Sequence, residues 1–276
     1  MKDHDAARSR FSVAEMVGFG SYVMSILLLF LDARLSIIPL ACFLMLCMVA
    51  PFLPRFSFFL PVISRGKSGK KAVAITFDDG PDPLSTPELL RLLLEHDAKA
   101  TFFVTGKRAS QYPEVIRKMV SLGHSVGNHT YSHDSLIMFK SSRTLTKEIE
   151  STQHVLRRLG IRTYAFRPPV GITSPRLCPV LQKCGLHNIN FSCRAIDGGN
   201  RWIDGLSRKV LNRVRPDDII ALHDTMPKDE NLLAQWLKEI ELILSGTEAK
   251  GLAILPLSEI IEKPIMTTTG IDVEVC

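Results

Sequence analysis

An α/β fold built on a parallel sheet is predicted by three features of this chain. From about Lys71 onward, short apolar runs alternate with amphipathic stretches, the pattern of repeated strand–helix units. Most of the runs are rich in Val, Ile or Phe, which favours strands. Pro87, Pro113 and Pro175 stand at the starts of intervening stretches, where a missing N–H costs a helix nothing. The pattern leaves open whether the sheet is open or closed into a barrel. A length of 276 residues suits one such unit with an extension, and 46% apolar against 22% charged residues excludes disorder and collagen-like repeats.

The extension is N-terminal and apolar. Sixteen uncharged residues run from Met16 to Leu31 and twenty from Leu35 to Pro54. At 1.5 Å per residue these measure about 24 and about 30 Å, so two membrane spans, 16–31 and 35–54, are expected as a hairpin. One span plus an interfacial helix is the alternative, and a signal peptide is the competing reading of the first run. Lys2, Arg8 and Arg10 precede the runs, Arg34 alone lies between them, and Arg55, Arg65, Lys67, Lys70 and Lys71 follow. The positive-inside rule then puts both ends of a hairpin, and the rest of the chain, on the cytoplasmic side of the plasma (inner) membrane.

The expected organisation is a membrane anchor over 1–55, a basic linker over 56–71, a catalytic domain over 72–262 and a polar tail over 263–276. The net charge of +6 and the pI near 9.0 suit apposition to anionic membrane lipid. Nucleic acid is not expected as a partner, since no basic run is interleaved with stacking aromatics. Six cysteines are too scattered for a zinc ribbon or a redox pair, and buried free thiols are expected for Cys178, Cys184 and Cys193, with a Cys178–Cys184 pair in an oxidising compartment as the alternative.

Strands are expected at Val73–Phe77, Thr101–Val104, Ser125–Gly127, Ala165–Arg167, His187–Ser192, Ile219–Leu222 and Leu252–Leu255. Helices are expected near Pro87–His96, Pro113–Leu122, Leu145–Leu159, Pro175–Cys184, Leu206–Val214 and Leu232–Leu244. In parallel sheets ligands bind beyond the C-terminal ends of strands, and the residues there carry chemistry.

The first run ends in Asp78-Asp79-Gly80-Pro81. Adjacent carboxylates in extended chain point to opposite sides, so one can ligate a metal while the other faces a different group. The third run leads to His129-Thr130-Tyr131-Ser132-His133, whose i, i+4 spacing would put both imidazoles on one helix face within reach of one ion. Two His and one Asp leave open positions for water and substrate, as a catalytic metal requires. The fourth run ends in Arg167-Pro168-Pro169-Val170, a guanidinium before a stiff turn. The sixth ends in Leu222-His223-Asp224, and the fifth leads to Arg194-Ala195-Ile196-Asp197-Gly198.

In chain order these segments resemble the five motifs of the polysaccharide deacetylase family, the NodB-homology domain of carbohydrate esterase family 4, over roughly Ala72 to Ile260. The resemblance implies a distorted (β/α)7 barrel and metal-dependent removal of acyl groups from sugars. It implies Asp78 as general base, Asp79, His129 and His133 as metal ligands, and His223 as general acid. Arg167 is implied as the partner that orients the base, and Asp197 as the group that holds the acid histidine.

The chemistry agrees. A divalent metal, zinc expected with other first-row ions as alternatives, activates water as nucleophile while Asp78 accepts its proton. The backbone N–H of Val170 is expected at the oxyanion, and His223, kept cationic by Asp197, protonates the leaving amine. Three departures stand out: Val170 replaces a frequent Tyr, Arg194 replaces an Asp, and Gly198 replaces a Trp, which leaves the acyl pocket short of an aromatic wall; Trp202 is expected in the core or at the rim, with filling of that gap as the alternative. Arg194 is expected to pair with a nearby carboxylate, and recognition of a substrate phosphate is the alternative its guanidinium suits. The expected activity is therefore hydrolysis of an N-acyl, foremost N-acetyl, group on an envelope sugar or one linked to polyprenyl phosphate. An O-acyl esterase, a deformylase and a non-catalytic glycan- or lipid-binding module are the alternatives.

Overall fold

The computed structural model describes residues 11–269. Lys2, Arg8, Arg10, Cys276 and the end of the expected tail lie outside the described residues.

Two helices, α1 (Val13–Leu29) and α2 (Ile37–Val49), form an antiparallel pair at the N-terminus. Among the described residues no helix is long and apolar enough to cross a membrane, which corrects the two expected spans and the plasma-membrane placement drawn from them. The cause is local. The uncharged run of twenty residues yields a helix of only 13, because Leu35 and Ser36 belong to the connecting turn and Pro51 sits in a 3₁₀ turn, Ala50–Phe52, followed by extended backbone at Leu53. Helix α1 has 17 residues, started by a capping box between Ser12 and Glu15. Ala14 and Ala50 pack on Phe58, and Thr173 N–H donates to the Pro51 carbonyl, so the pair is seated beside the loop that follows Arg167.

The remainder is α/β. In chain order come β1 (Ala72–Asp78), α3 (Ser85–Glu95), β2 (Thr101–Val104), α4 (Gly106–Gln111), α5 (Pro113–Ser121) and β3 (Ser125–Asn128). Next are α6 (Ser142–Arg158), β4 (Ile161–Thr163), β5 (Ala165–Phe166), α7 (Leu177–Cys184), β6 (His187–Asn188) and β7 (Cys193–Arg194). The chain closes with α8 (Leu206–Leu211), β8 (Ile219–His223), α9 (Leu233–Ala249), β9 (Ala253–Ile254), α10 (Leu257–Ile261) and β10 (Met266–Thr268).

The strands form a curled parallel sheet in the order β6-β5-β3-β2-β1-β8-β7, with β9 added to the start of β1. Among the described strands β6 and β7 are not paired, so the barrel is a distorted, partial one. Residues before β1 reach into that opening: Ile63 N–H donates to the Asn188 carbonyl, its own carbonyl accepts from Asn190, and Arg65 pairs with buried Asp218 at 2.5 Å. Strand β10 pairs antiparallel with β4 outside the main sheet.

Alternation along β1 sets the two faces. Val73, Ile75 and Phe77 join Leu89, Leu93, Ile116, Trp236 and Ile240 in the larger core under the outer helices. Ala72 and Ala74 face the smaller core with Phe103, Ala165 and Ala221. Thr76 and Asp78 fall on that same inner face by period two, which brings both to one guanidinium.

Candidate metal centre and active site

Strand β1 ends where its chemistry begins. Asp78 is in register with His223 on β8 and with Phe103 on β2, so base and acid candidates leave neighbouring strands at one level. Asp78 keeps an extended backbone inside the barrel mouth, whereas Asp79 is turned out by a left-handed φ of 77°.

Arg167 reaches Asp78 from the end of β5. Its Nη1 lies 2.6 Å from Asp78 Oδ1 and 2.7 Å from Thr76 Oγ1. The Nε and Nη2 groups donate to the carbonyls of Ile189 and Asn190 at 3.1 Å each, and the guanidinium lies 4.0 Å above the Phe103 ring centroid. Burial lowers its pKa, and the Asp78 charge counters that. Every arm of the fork is engaged, which fixes the Asp78 carboxylate.

Asp79 Oδ1 faces two imidazoles, at 3.2 Å from His129 Nε2 and 2.9 Å from His133 Nε2. The three ligand atoms lie within 4.8 Å of one another, and the carboxylate oxygen, buried, has no donor aimed at it. His129 Nδ1 sits 2.7 Å from the Arg167 carbonyl, which can only accept; its proton is therefore on Nδ1, and in the neutral ring Nε2 presents a lone pair to Asp79. Two imidazole nitrogens converging on one carboxylate oxygen suit a first-row divalent cation, with positions left over for water and substrate. Burial works against ionisation of Asp79, but the flanking His129 and His133 outweigh it and hold the carboxyl well below the usual carboxylate range. For His133 burial lowers the pKa, and Asp79 and Asp78 raise it above the ordinary value.

The two histidines do not meet on a helix, contrary to the expectation from their spacing. Residues 129–135 are loop, with left-handed φ at Thr130 (65°) and His133 (54°). Glu148 on α6 accepts the N–H groups of Tyr131 and Ser132 at 3.0 and 2.7 Å, and Asn128 Oδ1 accepts that of Thr130. Glu148 was not read from the sequence: it stands outside every motif, and only the packing of α6 brings it beneath the loop.

His223 Nδ1 lies 2.8 Å from the Asp197 carboxylate, and Asp197 is fully buried. Burial pushes the imidazole down, but Asp197, with Asp79 and Asp78 beyond it, raises its pKa above the ordinary value. Asn200 ties this side together, donating to the carbonyls of His223 and Thr225.

The remaining candidates sit at the rim. Val170 is exposed, with a left-handed φ of 53° in the turn after Arg167. Trp202 is also exposed, and its indole occupies the space where a side chain at Gly198 would project: an added Cβ would lie 2.8 Å from the ring. Arg194 lies 5.3 Å from the Phe191 ring centroid, and among the described residues no carboxylate is within ion-pair distance of it. A cleft of about 640 Å³ opens from Asp79 and His133 past Lys107, Tyr112 and Tyr131 to Thr225. Cys178, Cys184 and Cys193 are free thiols; Cys193 is buried as expected, whereas Cys178 and Cys184 are only half-buried.

Known proteins resemble this chain in sequence and fold. The profile of the family described as polysaccharide deacetylase matches residues 65–189. A chitooligosaccharide deacetylase of Azorhizobium caulinodans is 34% identical over 203 residues, 70% of this chain and 96% of the relative. A crystal structure of a peptidoglycan N-acetylglucosamine deacetylase superposes with a TM-score of 0.67 at 28% identity, covering 74% of this chain and 94% of that one. A family 4 carbohydrate esterase from Streptomyces lividans, solved with acetate, gives a TM-score of 0.61 at 30% identity over 70% of this chain and 96% of that one. With a relative this similar matched along almost its whole length, and the motif residues drawn together at one end of the sheet, the chain belongs to the polysaccharide deacetylase family.

Proposed function

We propose that this protein is a metal-dependent hydrolase that removes the N-acetyl group of a sugar, with residues 72–262 as its catalytic unit. One observation carries the reading: the Asp79–His129–His133 cluster starts at the strand end where an anchored carboxylate, Asp78 on Arg167, stands in register with a histidine paired with a buried carboxylate, His223 on Asp197. The named deacetylases among its relatives and structural neighbours support the amide of an acetylated glycan as the substrate.

Asp79, His129 and His133 would hold the cation, zinc by the donor set, and it supplies Lewis acidity to water and to the acyl oxygen. Asp78 takes the proton of the attacking water, its carboxylate aimed by the fork of Arg167. The Val170 N–H donates to the oxygen on which negative charge develops. His223 enters as imidazolium, a state favoured by Asp197, and delivers a proton to the departing amine. Acetate and a free amino sugar are the products.

Arg194 adds a preference for a substrate that carries a phosphate near the acetylated sugar, of which a sugar linked to polyprenyl phosphate is one case. Its freedom from a carboxylate partner among the described residues favours recognition of an external anion over an internal ion pair. Mass spectrometry of N-acetylated chitooligosaccharide and of a phosphate-linked N-acetyl sugar after incubation with the purified protein tests both points. Loss of acetyl from nitrogen is expected, faster on the phosphate-bearing compound. Release of acetate only from O-acetylated sugars, or of formate from N-formyl sugars, would replace this reading with the esterase or the deformylase.

A further inference from the structure

The Leu222-His223-Asp224 segment contributes His223 to the reaction, which leaves its second acidic residue without an assignment. Asp224 is fully buried, and it does not belong to the ligand cluster. Its N–H donates to the Asp78 carbonyl at 2.8 Å. Its two carboxyl oxygens lie 2.7 and 2.9 Å from Thr86 Oγ1, and that hydroxyl accepts the Asp82 N–H at 2.7 Å. The hydroxyl has one proton to give and lone pairs to receive, so the chain from amide to hydroxyl to carboxyl has a single direction.

The same carboxyl lies against the backbone of Gly80. A Cβ built on Gly80 would stand 2.2 Å from Asp224 Oδ2 and 2.8 Å from its Cγ, so Gly80 is needed to let the chain pass over this side chain. Further along, Asp82 Oδ1 accepts the N–H groups of Leu84 and Ser85, and Asp82 Oδ2 pairs with Arg108 at 2.9 Å. The Gly80 carbonyl in turn accepts the Thr105 N–H at 3.0 Å. All these contacts converge on the turn that follows Asp79. Asp79 itself holds a φ of 77°, a conformation L residues rarely adopt and that persists only where the surroundings impose it.

We propose that Asp224 and Thr86 are positioning residues for the metal site: the buried carboxyl and the hydroxyl clamp the Gly80–Asp82 turn and so hold Asp79 in its left-handed conformation, with Oδ1 facing His129 and His133. This rests on the reading of Asp79, His129 and His133 as metal ligands. Neither residue touches substrate or metal; the effect runs through the backbone of the turn.

The test measures metal binding rather than turnover. Zinc affinity, by competition with a chromophoric chelator, and the visible absorption of the cobalt(II)-loaded protein are compared for wild type, His129→Ala, Thr86→Val and Thr86→Ser. Thermal unfolding without metal is followed in parallel. Thr86→Val keeps the shape of the side chain and removes the hydroxyl. It is expected to weaken zinc about 10- to 100-fold, the range for groups that orient ligands, and to alter the cobalt spectrum. Thr86→Ser restores the hydroxyl and is expected to restore both. Should Thr86→Val fail to fold, Gly80→Ala, which drives a methyl into the Asp224 carboxyl, is expected to weaken zinc in the same way. Wild-type affinity and spectrum in a folded Thr86→Val or Gly80→Ala protein would overturn the clamp while leaving the ligand assignment intact. Failure of wild type to bind zinc or cobalt would overturn the ligand assignment and the clamp with it.

Discussion

Arg167 Nη1 stands 2.6 Å from Asp78 Oδ1, and the arginine is wholly shut away from solvent. The pair also ties two strands together, since the same guanidinium serves Thr76 on β1 and the carbonyls of Ile189 and Asn190 beyond β6. Arg167→Ala would strand a buried carboxylate and orphan the carbonyls. It is expected to cost about 3–5 kcal/mol of stability in urea unfolding. Arg167→Lys keeps a charge but not the fork, and should fold while losing most turnover because Asp78 is no longer aimed.

His223 is assigned the proton that leaves with the amine. His223→Ala should slow cleavage of an N-acetyl sugar far more than cleavage of an activated acetate ester, whose leaving group needs no proton. Steady-state kinetics on both substrates check this, and equal losses would assign His223 a positional role.

The Asp197 carboxylate raises the pKa of His223, so the imidazolium persists to higher pH than in an isolated histidine. Asp197→Asn removes that charge and should move the alkaline limb of the kcat/KM profile to lower pH. An unmoved limb would separate Asp197 from the acid.

His124 gives a test of stability away from the site. Its ring is buried, packs edge-on against Phe102, and accepts the Ala100 N–H at Nδ1. Burial, with a smaller push from Lys99, lowers its pKa to about 4 from 6.5. Above pH 6.5 the ring is neutral folded or unfolded. Between 6.5 and about 4 the unfolded chain takes up the proton and the native protein does not, so stability falls as pH falls. At about 1.4 kcal/mol per pH unit the loss is about 3 kcal/mol. Urea unfolding from pH 7 to 4 should show a shallower decline in His124→Asn, whose Oδ1 can still accept the Ala100 N–H.

The site was legible where single residues at strand ends decide it. Val73–Phe77 and Ile219–Leu222 announce β1 and β8, and parallel pairing then sets Asp78 beside His223 without further information. Thr101–Val104 is β2 as read. What stayed hidden depends on contacts across the fold. The His129–His133 spacing predicts a helix face, yet left-handed residues and a distant Glu148 make the same convergence from loop. Strand β7, two residues long, carries no apolar run of its own. The N-terminal runs counted uncharged residues correctly, but a count is blind to the turn at Leu35 and the break at Pro51 that shorten the second helix to 13 residues.

The central claim is that two neighbouring aspartates divide the work, Asp79 holding a metal and Asp78 moving a proton. Metal content and deacetylation, measured side by side on purified Asp79→Ala, His129→Ala and Asp78→Asn proteins, test it most directly. Asp79→Ala and His129→Ala should purify without metal and without activity. Asp78→Asn should retain a full equivalent of metal and lose turnover by a factor of about 100 or more, the scale of general base catalysis. Metal retained in both ligand variants, or near-normal turnover in Asp78→Asn, would contradict the account.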